Sequence, residues 1–459
     1  MLPSLYAGVS GLKNHSTRMN VVSNNISNVN TYGFKYSRVS FQDMLSMNLS
    51  GAAAPTDSKG GINPKQFGLG MTVASIDKIF TQGSLQSTGK TTDLAISGDG
   101  FFELKNGDKK FYTRAGDFDI DKNGLLVNPA NGLRVQGWMA QRQADGTTTI
   151  DTSATEGDIT IPVYSKLPAK ATTEVYFRSN SNLETPILGP NATPEEIQAN
   201  SVVTTIDTYD SEGEVHPLTV RLRHTGVNQW TAQPIVTMKQ NGQDVEIPAT
   251  VDVVGNANTP NPNNEFILNF DTQGSLVSVS DSNGTDVKNA GDLTVNLNFT
   301  APGKNQQTIV LHLGTSGKYD GITQFASKST TKAYKQDGYG MGYLESFEID
   351  DTGVVTGSYT NGQKKALAQV ALAVFTNPGG LKKAGQNYYT QTNNSGLANV
   401  GEPETGGRGR INSGKLEMSN VDLAEQFTDM IVTERGFQAN SRSVTTSDQM
   451  LQELLSLKR

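Results

Sequence analysis

The chain has 459 residues, enough for about two to four domains that each bury a core. A formal charge of −7, with no run of Lys or Arg, argues against nucleic acid or an anionic membrane surface as the main partner. No cysteine is present, which excludes disulfides, thiolate metal sites and cysteine nucleophiles. Charged residues are sparse while Gly, Asn, Ser and Thr abound, a balance that fits many turns and polar contact surfaces better than a compact enzyme.

No window approaches 18 consecutive apolar residues, so no membrane-spanning helix is expected. The opening MLPSLYAGVSGLKNHSTRMN lacks a basic leader and an unbroken apolar core, so it does not read as a secretory signal. A chain exported with this start would need a route that removes nothing. The segment reads instead as an amphipathic helix. Leu5, Leu12, Met19 and Ile26 recur every seventh residue, flanked by Val9, Val22 and Val29. Ala7, Gly8, Ser10 and Gly11 permit close backbone approach, although each Gly weakens an isolated helix by about 1 kcal/mol relative to Ala.

SNNISNVNTYGFKYS, from Ser23 to Ser37, then loads the helix end with Asn, a capping residue that tolerates left-handed backbone. Asn24, Asn25, Asn28, Gly33 and Phe34 are expected to form a joint where the helix stops and an extended segment leaves at a defined angle. A coil-rich stretch follows at 48–66. The pattern beyond it is β: short apolar runs such as Leu218 to Leu222 and Thr308 to Leu311 are bounded by Gly, Asn and Asp. The turn D-x-x-G recurs at Asp121, Asp210, Asp271, Asp281 and Asp350, with Asp bonding its own turn and Gly supplying positive φ.

Several stretches imitate chemical motifs and fail on a named residue. Asp119 to Gly124 opens like a calcium loop, but its twelfth position is Ala130 rather than Glu. Gly409 to Lys415 has phosphate-loop spacing but continues with Leu416, and Gly83 to Thr91 has one residue too many. His15, His216, His224 and His312 show no metal-ligand spacing. No enzyme activity, metal or cofactor is expected.

After a second coil-rich stretch at 375–415, Leu423, Met430, Phe437, Val444 and Leu451 keep a seven-residue rhythm, widened by Phe427, Leu454 and Leu455. Ser419 with Asp422 looks like a capping box at the helix start. Neither terminal stripe has a neighbouring apolar segment long enough to cover it. The two helices are therefore expected to pair with each other and with copies from other chains, and to order on assembly.

At this point the residues resemble the bacterial flagellar rod and hook axial protein family. LYAGVSGL with NVVSNNISNVNTYGFK resembles the family's opening, QGSLQSTGKTTDLAISGDGFF and FYTRAGDFDIDKNGLLV its internal signature, and SNVDLAEQFTDMIVTERGFQANSRSVTTSDQMLQELL its closing helix. They occur in the family's order. The insert from about Ser165 to Tyr334 points to the hook members; a distal rod subunit or a hook-associated junction protein are the alternatives.

The resemblance implies a multidomain fold, mainly β outer domains plus paired N- and C-terminal α-helices, in discontinuous, nested domains. Residues 1–30 with 419–459 would form a helical inner core, 31–88 with 376–418 a connecting region, 89–170 with 325–375 an inner β domain and 171–324 an inserted outer β domain. It further implies a structural subunit that polymerises with itself into a flexible hollow tube, a universal joint passing motor torque to the filament. Its neighbours would be the flagellar rod, the hook-filament junction protein, the hook cap during assembly and the type III export apparatus. No nucleic acid or membrane insertion is implied, and the hook would lie outside the cytoplasm, extracellular or periplasmic. Leu5, Leu12, Met19, Ile26 and the five α-helical residues from Leu423 to Leu451 would then be the self-assembly positions. Spirochaete relatives join neighbouring subunits through a lysine and a cysteine; this chain, without cysteine, cannot form that bond.

Overall fold

The computed structural model describes residues 2–143, 147–189, 192–240, 243–253, 264–282, 287–300, 306–330 and 332–456. The chain separates into two compact units, one of residues 1–163, 346–358 and 364–459, the other of residues 164–345 and 359–363. In sequence the second is thus an insertion into the first. No described helix is long and apolar enough to cross a membrane.

The first unit carries both terminal helices. Helix α1 spans Leu2–Ser27; the antiparallel ribbon of Ser37–Asp43 with Met71–Lys78 lies against it, and the hairpin of Ser46–Ser50 with Lys65–Gly68 follows on from the ribbon. Asn14 Nδ2 donates to Met71 O at 2.5 Å, and Ser10 Oγ accepts from Met71 N–H, fixing that packing. The β part of this unit is an antiparallel sheet in the order Lys364–Val370, Arg134–Arg142, Phe101–Asn106, Lys109–Thr113, Tyr388–Thr390, Lys382–Gly385. Its aromatic core packs Phe101, Tyr112, Phe375 and Tyr389, with edge-on ring pairs such as Tyr112–Phe375 at 4.8 Å.

The second unit holds a short helix α2 (Pro194–Asn200), closed by a Thr193–Glu196 capping box, and two sheets over one core. One sheet runs Ser201–Tyr209, Val215–Gly226, Gln229–Gln240, Phe266–Phe270, Leu276–Asp281; the other includes Asp292–Thr300, Gln306–Thr315 and Glu174–Phe177. Strict alternation along Val215–Gly226 turns Leu218, Val220 and Leu222 inward, against Trp230 and Leu297 of the same core.

Four of the five expected turns are made as the residues suggest. Asp121, Asp210, Asp271 and Asp350 each accept backbone N–H groups on Oδ1, and Gly124, Gly213, Gly274 and Gly353 take positive φ. The fifth, Asp281 to Gly284, runs beyond the described residues. Helix α3 spans Leu423–Ser456, and its cap is Asp422 rather than Ser419. Asp422 Oδ1 accepts from Ala424 N–H at 2.8 Å and Glu425 N–H at 3.3 Å, so the helix begins one turn later than the Ser419 reading placed it.

Candidate assembly site: the helix pair and its joint

Helices α1 and α3 pack antiparallel, Ser4 beside Ser447 at one end and Asn25 beside Gln426 at the other. The seam between them is heptad-spaced, yet it is not the apolar stripe. On α1 it uses Ser4, Gly8, Gly11, His15, Arg18, Val22 and Asn25; on α3 Gln426, Asp429, Thr433, Gly436, Asn440, Val444 and Ser447. A Cβ on Gly8 would meet Val444 Cγ2 at 2.7 Å, one on Gly11 Asn440 Oδ1 at 2.5 Å, and one on Gly436 the His15 ring at 2.6 Å. Arg18 Nη2 pairs with Asp429 Oδ1 at 2.8 Å. The sequence-predicted apolar positions are not the buried centre of the pair: Leu423 and Phe437 are exposed, Met430, Val444, Leu451, Leu5, Leu12, Met19 and Ile26 half-buried, and Val444 faces Gly8. Small residues won the seam because they allow two backbones to approach closely.

The Asn-rich end of α1 makes a defined exit. Asn28 Nδ2 reaches back to Asn24 O at 2.8 Å, satisfying a carbonyl that the helix end leaves open. Asn25 is buried: its Oδ1 accepts from Ser37 N–H at 3.0 Å, and its Nδ2 donates to Ser37 O and to Gln426 Oε1, both at 2.8 Å. Asn24 is exposed, and its carbonyl takes the Asn28 amide; with Asn28, Asp117 and Asn387 it lines an open cleft of about 380 Å³. Gly33 has φ +65, and a Cβ there would stand 2.5 Å from Ala115 N. Phe34 is fully buried, with Lys383 Nζ 4.6 Å from its ring centroid.

Beyond the expected residues, Lys35, Glu417, Arg114 and Asn420 complete the joint. Lys35 Nζ donates to Glu417 Oε1 at 2.6 Å and Thr81 O at 2.7 Å, with both charged side chains excluded from solvent. Gly83 N–H also reaches Glu417 Oε1, at 2.9 Å, while Arg114 Nη1 lies 3.4 Å from Oε2. Glu417 O accepts from Gly33 N–H at 2.7 Å. Burial pushes the Lys35 ammonium below its ordinary value, Glu417 pulls it up, and Arg114 pushes it down. Burial lowers Arg114 likewise, opposed by Glu417 and Asp99. Asn420 Oδ1 accepts from Tyr36 N–H at 2.9 Å, and its Nδ2 donates to Ile79 O. Nothing in the sequence marked Lys35 as buried: a lysine after Gly-Phe reads as a solvated charge.

The motif look-alikes take plain structural roles. Asp119 pairs with Lys90 at 3.0 Å and Asp121 holds its turn. Arg410–Ser413 is a strand paired with Leu94–Ser97, and Leu85–Ser87 pairs with Lys415–Glu417, so neither phosphate-loop spacing precedes a helix. His312 stacks on Tyr176, while His216 and His224 are buried in the second unit.

A mainly β, multidomain chain whose two ends return to one helix pair, with apolar surface left over on that pair, has the make-up of a structural subunit. Family models match in order: flagella basal body rod protein over residues 5–35, flagellar hook protein FlgE/F/G D1 domain over 95–175, flagellar basal body protein FlaE D2 domain over 177–339, and flagellar basal body rod FlgEFG protein C-terminal over 412–457. The chain is 50% identical to the flagellar hook protein FlgE of Borreliella burgdorferi, with all of both chains covered. It is 47% identical to that of Treponema pallidum over all of both chains, and 32% identical to that of Salmonella typhimurium, covering 99% of this chain and 100% of that one. The crystal structure of Helicobacter pylori flagellar hook protein FlgE2 shares the fold at 16% identity and TM-score 0.51, covering 72% of this chain and 100% of that one. This chain belongs to the flagellar hook protein FlgE family and is a structural subunit of the flagellar hook.

Proposed function

We propose that the chain polymerises helically into a hollow, bendable tube that passes motor torque to the filament as a universal joint. The terminal helices would line its inner core, and the β parts would lie outside. What supports this is the mismatch on α3. Its seam toward α1 is small and polar, while Leu423, Phe427, Ile431, Phe437 and Leu454 are exposed along a helix about 51 Å long at 1.5 Å per residue. Neighbouring copies covering that stripe would gain about 1.5–3 kcal/mol for each large apolar side chain fully buried.

On this reading Leu5, Leu12, Met19, Ile26, Leu423, Met430, Phe437, Val444 and Leu451 are the self-assembly positions. Asn24, Asn25, Asn28, Gly33 and Phe34, with Lys35 and Glu417, set the exit from the core. The rod would stand at one end of the tube and a junction protein at the other, with a cap present during assembly. Subunits would arrive unfolded through the type III route, placing the hook outside the cytoplasm.

Electron microscopy of the concentrated chain at high salt, intact and lacking residues 1–30 and 419–459, tests the proposal. Curved tubes from the intact chain alone are expected. Straight tubes would favour a rod subunit, and no tubes from the intact chain would overturn the reading.

A further inference from the structure

Three chain segments meet at one buried carboxylate. Lys35 lies on the chain leaving α1, Glu417 on the chain returning to α3, and Arg114 just past the sheet strand Lys109–Thr113. We propose that Lys35, Glu417 and Arg114 are positioning residues: they lock the outgoing and returning chain in one register on the sheet, so that load on the helix pair reaches the β part through them. This rests on the hook reading above.

Stability alone does not account for such a knot. Replacing a buried ion pair by well-packed apolar side chains is often neutral or stabilising, because charges lose hydration on burial. Apolar contacts, however, are non-directional and let neighbouring segments slip past one another. Charge-assisted hydrogen bonds are short and directional, and here each fixes a different segment to the same residue. Glu417 Oε1 takes Lys35 Nζ at 2.6 Å and Gly83 N–H at 2.9 Å, Oε2 faces Arg114, and the backbone oxygen takes Gly33 N–H at 2.7 Å. A sliding of either strand by one residue would break the whole set. Water cannot replace a lost partner, since Lys35 and Glu417 side chains are 0% exposed and that of Arg114 is 2%.

Arg114 is held from its other sides as well. Its Nη2 donates to Gly98 O at 2.8 Å, and the guanidinium lies 5.4 Å from the Phe101 ring centroid. Gly33 ties the two functions together: its positive φ turns the chain, and its N–H fastens that turn to the returning strand.

The test uses the full chain in two variants. One replaces the knot by apolar residues (Lys35→Met, Arg114→Met and Glu417→Leu together); the other is the isosteric Glu417→Gln. Three quantities are read: the thermal midpoint, hydrogen exchange at the Gly33, Tyr36 and Gly83 amides, and tube curvature by electron microscopy. In the apolar variant the midpoint should stay within about 5 °C of the parent while exchange at those amides rises at least about tenfold and tubes become irregular or absent. Glu417→Gln leaves Lys35 and Arg114 buried without a counter-charge, so it should loosen the same amides more strongly than the apolar variant and lower the midpoint as well. Parent-like exchange and regular tubes in the apolar variant would overturn the proposal. So would parent-like behaviour of Glu417→Gln if the apolar variant fails to fold. If the parent itself forms no tubes, the hook reading fails, while the exchange comparison still decides the knot.

Discussion

Asn25 and Gln426 stand 401 positions apart in the chain and share a hydrogen bond of 2.8 Å inside the α1–α3 seam. The same Asn25 amide pairs with both backbone groups of Ser37, so one side chain joins the first helix, the last helix and the strand that leaves between them. Substituting Asn25→Leu keeps the volume roughly and strands the Gln426 amide and the Ser37 groups. At about 1–3 kcal/mol for each buried group left unpaired, the local opening of the joint should become easier by about 3 kcal/mol. Hydrogen exchange at Ser37 would read this. The paired change Asn25→Leu with Gln426→Leu should recover about 1 kcal/mol of it, because both partners leave together.

Gly33 offers a sharper case. Any L side chain at φ +65 costs about 1–2 kcal/mol, and a Cβ there would also stand 2.5 Å from a backbone nitrogen. Gly33→Ala should therefore destabilise the joint by at least about 2 kcal/mol. Cells carrying it should secrete or assemble little hook. Gly107→Ala makes the control: its φ is +57 but nothing lies within 4 Å of the added carbon, so only the backbone cost should appear.

How far the sequence disclosed this joint depended on the kind of signal each residue carries. Helix existence and the D-x-x-G turns were legible, because periodicity and turn chemistry are local properties. The seam was not. A heptad of Leu, Met and Phe outshines a heptad of Gly, Ser and Asn in any hydrophobic reading, yet Gly8, Gly11 and Gly436 let the two backbones approach. The cap moved from Ser419 to Asp422 because both residue types cap equally well and only the position of Glu425 at the third helical place distinguishes them. Lys35 and Glu417 pair across 382 positions, a relationship that a single sequence does not encode locally.

The seam also carries a titratable group. His15 faces Gly436 of α3 and stands edge-on to Phe41 at 5.9 Å; among the described residues its Nδ1 is buried without a hydrogen-bond partner. Burial, and then Arg18 on the same helix, push its pKa below 6.5. Arg18 is itself tied to Asp429 of α3, and Arg38 and Asp77 on the adjacent ribbon face each other at 4.0 Å. The unfolded chain therefore takes up a proton first as pH falls through about 6.5. Pairing stability should fall from there down to the lowered folded-state value and stay level below it. Helical circular dichroism of the monomer, melted at pH 7.5 and pH 5.5, should show a lower midpoint at pH 5.5, and His15→Gln should remove the difference.

The two faces of α3 make opposite predictions for monomer and polymer. Phe437 is 42% exposed and outside the seam, so Phe437→Asp should change monomer stability by no more than about 0.5 kcal/mol. Gly436, its immediate neighbour, faces the His15 ring, where a Cβ would meet it at 2.6 Å. Gly436→Val should force α1 and α3 apart and lower monomer helicity measured by circular dichroism. If the exposed stripe is where neighbouring copies bind, Phe437→Asp should abolish tube formation while leaving helicity intact. Tubes of ordinary length from Phe437→Asp would mean that neighbours meet on some other surface, and the stripe would lose its assigned role. Loss of helicity in both variants would instead place Phe437 inside the pair, against the exposure observed here.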